Sequence, residues 1–393
     1  MEKRNSLARL ADLSTACLIT LFGIGLILCT KGVSAAAHRA LLLSGRVVIP
    51  SLFPFLVLST LLLSCGPGDA LAHLLARPME VLFRLPGSCA PALVMGMIGG
   101  YPVGARTAFE LYDRRACTAE ECSRLLAFCS CCGPSFLCGA VGTAVFGTLR
   151  AGLILWLCHI LAALLIGFVQ GRFLPPASHR TAAPPRAVRL SFARAFTGAV
   201  TAACTAMLHV CAFVVFFAAL MALLEESGIL AALGRLLAFL PHGMADPLLR
   251  GLPEMTGGIA ALGEASDLTF PQAMGMAGLI AGWGGLSVHA QVLSLREERN
   301  IAMGRYFIGK GACGLLTGLM GYIAAHALLP DLPYHTVFQP ELAPEAVTVI
   351  NPLYYILVCG VYLAACMAVT ALVLWLEDHD TRKDGCQTHR KSV

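Results

Sequence analysis

Long stretches of this chain contain no Asp, Glu, Lys or Arg, among them residues 13–30, 47–68, 125–149, 151–171, 195–224, 268–295, 311–330 and 346–376. Each reaches or exceeds the roughly 18–20 residues that an α-helix needs to cross about 30 Å of hydrocarbon. The runs are continuously apolar. A barrel strand would instead alternate over about ten residues. The chain is therefore expected to be an all-α polytopic membrane protein with about eight transmembrane helices. Composition agrees, since 57% of the 393 residues are hydrophobic and only 13% are charged. A soluble globule must clothe itself in more polar surface than that.

Charge between the runs orients them. Short cytoplasmic loops carry the Lys/Arg excess. Lys3, Arg4 and Arg9 mark the N-terminus, and Arg382, Lys383, Arg390 and Lys391 the tail. Arg172, Arg180, Arg186, Arg189 and Arg194 mark a proline-broken linker at residues 172–194. Residues 331–345 hold no Lys or Arg and read as external. Eight spans satisfy all of these assignments. The basic start and the small residues Ala35, Ala36 and Ala37 would also suit a cleaved signal peptide, although an uncleaved first helix fits a chain with seven further spans better. The net charge of +5 does not point to nucleic acid, because topology accounts for the basic residues.

Two further apolar segments are too interrupted to span. Residues 85–105 contain Pro86, Pro91, Gly96, Gly99, Gly100, Pro102 and Gly104, and residues 251–263 contain Pro253, Glu254, Gly257 and Gly258. Non-helical backbone at membrane depth is tolerated only where protein or a cavity surrounds it, so both are expected to be re-entrant broken helices. They also correspond. Gly100-Tyr101-Pro102 matches Gly251-Leu252-Pro253, and Gly133-Pro134-Ser135-Phe136 matches Gly285-Leu286-Ser287-Val288 at nearly the same offset. Basic residues flank the first segment and acidic ones the second, so the two enter from opposite faces. The expected organisation is an N-terminal end and first helix (1–39), a first repeat (40–171), the basic linker (172–194), an inverted second repeat (195–330), and an external loop, last helix and tail (331–393). Paired interruptions in inverted repeats point to a transporter site near the bilayer midplane.

Several residues are candidates for solute contact. The turn at Gly100, Tyr101, Pro102 and Gly104 frees backbone polar groups, which a ligand or neighbouring helices could satisfy. Arg106 follows it directly and offers a planar fork suited to a carboxylate. It could equally set topology or pair with Glu254. Glu254, an acid in an uncharged stretch, could take a coupling proton or cation, or be a surface acid. Ser287, His289 and Gln291 are binding candidates, with interhelical hydrogen bonds as the alternative, and Ser135 is a further binding candidate. His159 and His209 read as packing residues. Cys129, Cys131, Cys132 and Cys138 lack the second cysteine pair that a structural zinc site favours. The other cysteines, such as Cys17, Cys29, Cys158 and Cys204, lie in apolar runs as small soft residues. Thr118 and Glu121 read as a helix capping box. With no phosphate-cradling loop and no recognisable nucleophile constellation, neither an enzyme nor a cofactor or metal site is expected.

The chain resembles the YlbJ family of sporulation integral membrane proteins, which carry nucleoside-recognition, or Gate, domains. The residues responsible are Ile49-Pro50-Ser51-Leu52-Phe53-Pro54-Phe55, Gly100-Tyr101-Pro102-Val103-Gly104-Ala105, Pro134-Ser135-Phe136 with Gly139-Ala140-Val141-Gly142, and residues 283–292 from Trp283 to Val292. The resemblance spans about residues 40–330. It departs at Cys129-Ser130-Cys131-Cys132, where the family tends to place Asn and Ser. It implies a multi-pass cell-membrane protein of endospore formers, sited in a sporulating cell at the outer forespore membrane. The function it implies is movement of dipicolinate, a small aromatic dicarboxylate. A nucleoside transporter and a non-transporting scaffold for spore assembly are the alternatives. The expected partners are a small solute and membrane lipid, without nucleic acid; a homo-oligomer is left open.

Overall fold

A computed structural model describes residues 2–65, 67–173, 191–265 and 267–329. Every element in these residues is helical. Hydrocarbon offers no partner for a backbone N–H or C=O, so a helix, which satisfies its own, is what such a sequence forms there. The chain begins with α1 (Glu2–Leu28) and α2 (Thr30–Leu43), continues through a short π-helical turn (Ser44–Val48), and then forms α3 (Ile49–Ser64), α4 (Pro67–Leu74) and α5 (Ala76–Phe83). Next come α6 (Ala90–Gly99), α7 (Val103–Asp113), α8 (Ala119–Cys129), a π-helical segment (Ser135–Val145) and α9 (Leu149–Phe173). The second half holds α10 (Phe192–Glu226), α11 (Ile229–Leu236), α12 (Ala245–Gly251), α13 (Met255–Glu264), α14 (Phe270–Trp283), α15 (Gly285–Arg296) and α16 (Gly304–Leu328).

Four helices are long and apolar enough to cross a membrane, and the number rises to seven if each bent pair is one span. The protein is thus a multi-pass membrane protein. The expected eighth span, 346–376, and the external loop, 331–345, lie outside the described residues, as does most of the linker. One expectation needs correction. Residues 125–149 do not form one spanning helix. α8 stops at Cys129, residues 130–134 are non-helical, and the π-helical segment follows. Gly133 and Pro134 break the run, since Pro134 has no N–H to give to the preceding turn. The capping box does form: the Glu121 N–H donates to Thr118 Oγ1 at 3.2 Å, and the Thr118 N–H to Glu121 Oε2 at 2.7 Å.

Two tight hairpins stand out. α6 and α7 fold back on each other, with Gly96 packed against Gly104. α12 and α13 do the same, with Gly251 against Gly258. Contacts between elements fix the ends of the bundle. At one end Asp113 takes a two-pronged ion pair from Arg299, at 2.8 and 2.7 Å, and Glu120 pairs with Arg305. The Asp113 carboxylate raises the Arg299 pKa above its usual value. At the other end the Phe146 and Phe270 rings meet at 5.4 Å, and Arg150 donates to the Leu328 carbonyl at 3.1 Å. The α6–α7 hairpin opens toward the charged end, where Ser88 donates to the Ala116 carbonyl at 2.6 Å. The α12–α13 hairpin leads directly into α14 at the aromatic end.

Helices α14 and α16 pack along a seam of small residues. A Cβ on Gly278 would lie 2.7 Å from the Thr317 carbonyl, and one on Gly282 would lie 2.7 Å from Gly314 Cα. Such seams let backbones approach in lipid, where no hydrophobic force drives helices together. The opposite stripe of α16, with Ile308, Leu315, Leu319 and Ile323, is exposed, as a lipid-facing side should be.

The charged end is held by half-exposed groups. Asp113→Asn and Glu120→Gln are each expected to cost less than about 1 kcal/mol, read as small, salt-sensitive shifts in the melting temperature of the detergent-solubilised protein. A loss of folded protein in either variant would contradict this.

Candidate functional site

The tips of the two hairpins meet breaks in two crossing helices. The first tip is Gly100-Tyr101-Pro102. Gly100 has φ +80°, and a Cβ there would sit 2.8 Å from the Gly133 nitrogen, so both conformation and space demand glycine. The tip therefore rests against the α8 break at residues 130–134. The second tip is Leu252-Pro253-Glu254. It is fastened to the start of α15 by Leu286 N–H to the Leu252 carbonyl (2.9 Å) and Ser287 N–H to the Pro253 carbonyl (3.0 Å). The Trp283 indole N–H donates to the same Leu252 carbonyl at 3.0 Å. Here Gly284 and Gly285, with φ +88° and +82°, interrupt α14 and α15.

Tyr101 ties the two breaks together. Its hydroxyl donates to the Ala281 carbonyl at 3.0 Å, near the end of α14, and its ring lies against Gly284. The same hydroxyl accepts from the ammonium of Lys310, on α16, which also donates to the Ser130 carbonyl at 3.0 Å. Lys310 is 1% exposed. Sequence reasoning missed it, because it sits just outside a charge-free run and near Arg305, where a charge reads as loop. A basic residue on the same helical face as the seam glycines was the available signal.

His159 completes the α8 break. The Cys132 N–H donates to Nε2 at 2.9 Å, and Nδ1 lies 3.2 Å from the Thr317 hydroxyl. Because Nε2 accepts, Nδ1 carries the proton and donates to Thr317. The packing residue read from sequence thus satisfies a freed backbone group.

Of the remaining candidates, Gly104 packs on Gly96 beside the Cys129 carbonyl, and Ser135 is half-buried at the start of the π-helical segment. Glu254 is 8% exposed and caps α13. Its carboxylate accepts from the N–H groups of Thr256 (3.0 Å) and Gly257 (2.7 Å) and from the Thr256 hydroxyl. The Arg106–Glu254 pair considered above is not formed. Arg106 Nε donates instead to Glu110 Oε1 at 3.1 Å, one turn on along α7, as i,i+4 spacing favours. Arg106 Nη1 and Glu110 Oε2 are both buried without a partner.

Ser287, His289 and Gln291 are all buried on α15. α15 is continuous from Gly285, so Ser287 and Gln291 share a face while His289 turns away. His289 Nδ1 pairs with the Tyr306 hydroxyl at 2.8 Å, and its ring meets Trp283 edge-on at 4.2 Å. Its Nε2 is buried without a partner. The structure thus brings the Gly100-Tyr101-Pro102 tip to the first break, and at the second it bonds Ser287 to the Pro253 carbonyl, with the Glu254 backbone beside Gly285. Arg106 sits on α7, paired with Glu110.

Residues 46–152 match the family model described as "Gate: Nucleoside recognition". The chain is also similar to "Sporulation integral membrane protein YlbJ" of Bacillus subtilis (strain 168), at 28% identity over 328 residues, covering 77% of this chain and 79% of the relative. No solved structure matches it.

Proposed function

We propose, from the premise that this chain is a multi-pass membrane protein with a Gate nucleoside-recognition region, that it moves a small anionic solute across a membrane during sporulation. The observation that carries this reading is the meeting of two hairpin tips with two helix breaks inside the bundle. Irregular backbone survives at that depth where it lines a solute path. We read residues 40–171 and 195–330 as inverted repeats joined by the cytoplasmic linker 172–194. Their traverses support this. α8 and the π-helical segment run from the charged end to the aromatic end and α9 returns, while α14 and α15 run the opposite way and α16 returns. With the run at 346–376 we count eight spans, and the charged end faces the cytoplasm. A cell membrane, in a sporulating cell the outer forespore membrane, is the location we assign.

The solute class is an aromatic dicarboxylate of the dipicolinate kind. Arg106 is its anchor: it stands just beyond the first tip with one guanidinium nitrogen unpartnered, and a carboxylate suits that fork. Ser135, Ser287 and Gln291 supply neutral contacts. A nucleoside would need those neutral contacts and no cation.

The test is uptake by vesicles holding the purified protein, offered dipicolinate, a nucleoside or an unrelated anion. Dipicolinate uptake is expected to exceed the other two. Arg106→Gln should lower it about 10- to 100-fold, the worth of a hydrogen bond to a charged group, and Arg106→Lys should not restore it. Wild-type uptake by both variants would end the anchor role. Recovery of uptake in the double variant Arg106→Gln, Glu110→Gln would make Arg106 a structural partner of Glu110. Equal permeation of vesicles with and without protein would favour a scaffold.

A further inference from the structure

We infer that the Lys310 ammonium is a tethered cation filling a binding site for a primary ammonium ion, built from the C-terminal end of α8 and the tip of the first hairpin. Three observations on the same group converge. The side chain is 1% exposed, deep in the bundle, and its described hydrogen-bond partners are oxygens without formal charge: the Ser130 carbonyl at 3.0 Å and the Tyr101 hydroxyl. Ser130 caps α8, whose last carbonyls carry the negative end of the helix dipole.

A carbonyl, a hydroxyl and a negative helix end are what a small cation seeks when no carboxylate is at hand. Unwound carbonyls and half-helix C-terminal ends serve that purpose for free cations in broken-helix transporters. In this chain the cation arrives on its own stem. Its three side-chain carbons beyond Cβ run from α16, and the helix places the ammonium between the Ser130 carbonyl and the Tyr101 hydroxyl. The ammonium thereby links α16 to the first hairpin and to the α8 break, and it neutralises the carbonyls that the break exposes. A hydrogen bond alone would need no charge, so the two accounts part on whether a neutral group of the same shape can substitute.

Lys310→Ala removes three methylene groups and the ammonium, which is the outline of n-propylammonium. 1-Propanol has nearly the same outline without the charge. The experiment measures thermal unfolding of the purified, detergent-solubilised full chain, so it does not depend on which solute the protein moves. Lys310→Ala is expected to unfold several degrees below the wild type. n-Propylammonium chloride at about ten times its dissociation constant should raise that temperature by about 2 °C or more, saturably. 1-Propanol at the same concentration should leave it unchanged, and neither additive should shift the wild type. Equal shifts from both additives would reduce the site to a space to be filled, and no shift from either would remove it; either result overturns the inference. If Lys310→Ala does not survive extraction, the readout is the folded yield after extraction with each additive. Yield restored by n-propylammonium alone supports the tethered cation, and yield restored by both or by neither overturns it.

Discussion

Gly282→Ala is expected to lower the melting temperature of the solubilised protein by several degrees, while Gly311→Ala leaves it unchanged or raises it. The two glycines lie on neighbouring helices, α14 and α16, and differ in what a methyl group would meet. At position 282 the new carbon would lie 2.7 Å from Gly314 Cα and 2.8 Å from the Cys313 carbonyl. Both are backbone atoms, which cannot swing aside, so α14 and α16 must part. Overpacking of this kind costs about 1–3 kcal/mol. At position 311 nothing lies within 4 Å, and only the better helix propensity of alanine is felt, about 1 kcal/mol in its favour. The pair therefore differs in sign and not merely in size. Fluorescence-detected unfolding of the three proteins in one detergent decides it. Equal shifts at the two positions would mean that the seam does not hold these helices together.

The second large effect is at Glu254. Both oxygens of this buried carboxylate are occupied by the start of α13, through two N–H groups and a hydroxyl. Glu254→Ala leaves those N–H donors without a partner at the tip of a buried hairpin. Losing a helix cap and stranding buried donors together cost about 2–3 kcal/mol, so the melting temperature of the solubilised protein should fall by several degrees. Glu254→Gln keeps one accepting oxygen but turns an amide NH2 toward one of those N–H groups, so it should fold with a smaller loss, about 1–2 kcal/mol, and still move solute. If Glu254→Gln instead melts like the wild type but moves nothing, the carboxylate carries a coupling proton or cation, and the cap is incidental.

The helical architecture was legible because a lipid-facing helix must be apolar along its length and the charge-free runs report that directly. The two hairpin tips were legible for a related reason. Pro102 and Pro253 cannot give an N–H to the preceding turn, and glycines beside them ease the bend, so their place in apolar sequence announced a break. The α8 break was hidden because Cys129, Cys131 and Cys132 are as apolar as a helix interior, and only Gly133 and Pro134 betray it. Lys310 was hidden because hydropathy assigns charges to the ends of runs, and only packing brings that ammonium to Tyr101, more than two hundred residues away. The spacing from Arg106 to Glu110 is readable as a helical pair, yet the pair was sought across the repeats at Glu254. The better-placed carboxylate, one turn away, won because i,i+4 neighbours need no long-range alignment.

The two ends of the bundle are closed by different mixtures of forces. One is held by Arg299 on Asp113 and Arg305 on Glu120; the other carries Phe146 against Phe270 and, beside them, Arg250 paired with Asp246 and Glu225. Salt screens exposed charge within about a Debye length, near 8 Å at physiological ionic strength, whereas apolar contact is indifferent to screening and is strengthened by excluded salts such as sulfate. Concentrated salt therefore weakens the ion pairs at both ends and leaves the Phe146–Phe270 contact and the small-residue seam of α14 and α16 to hold the bundle.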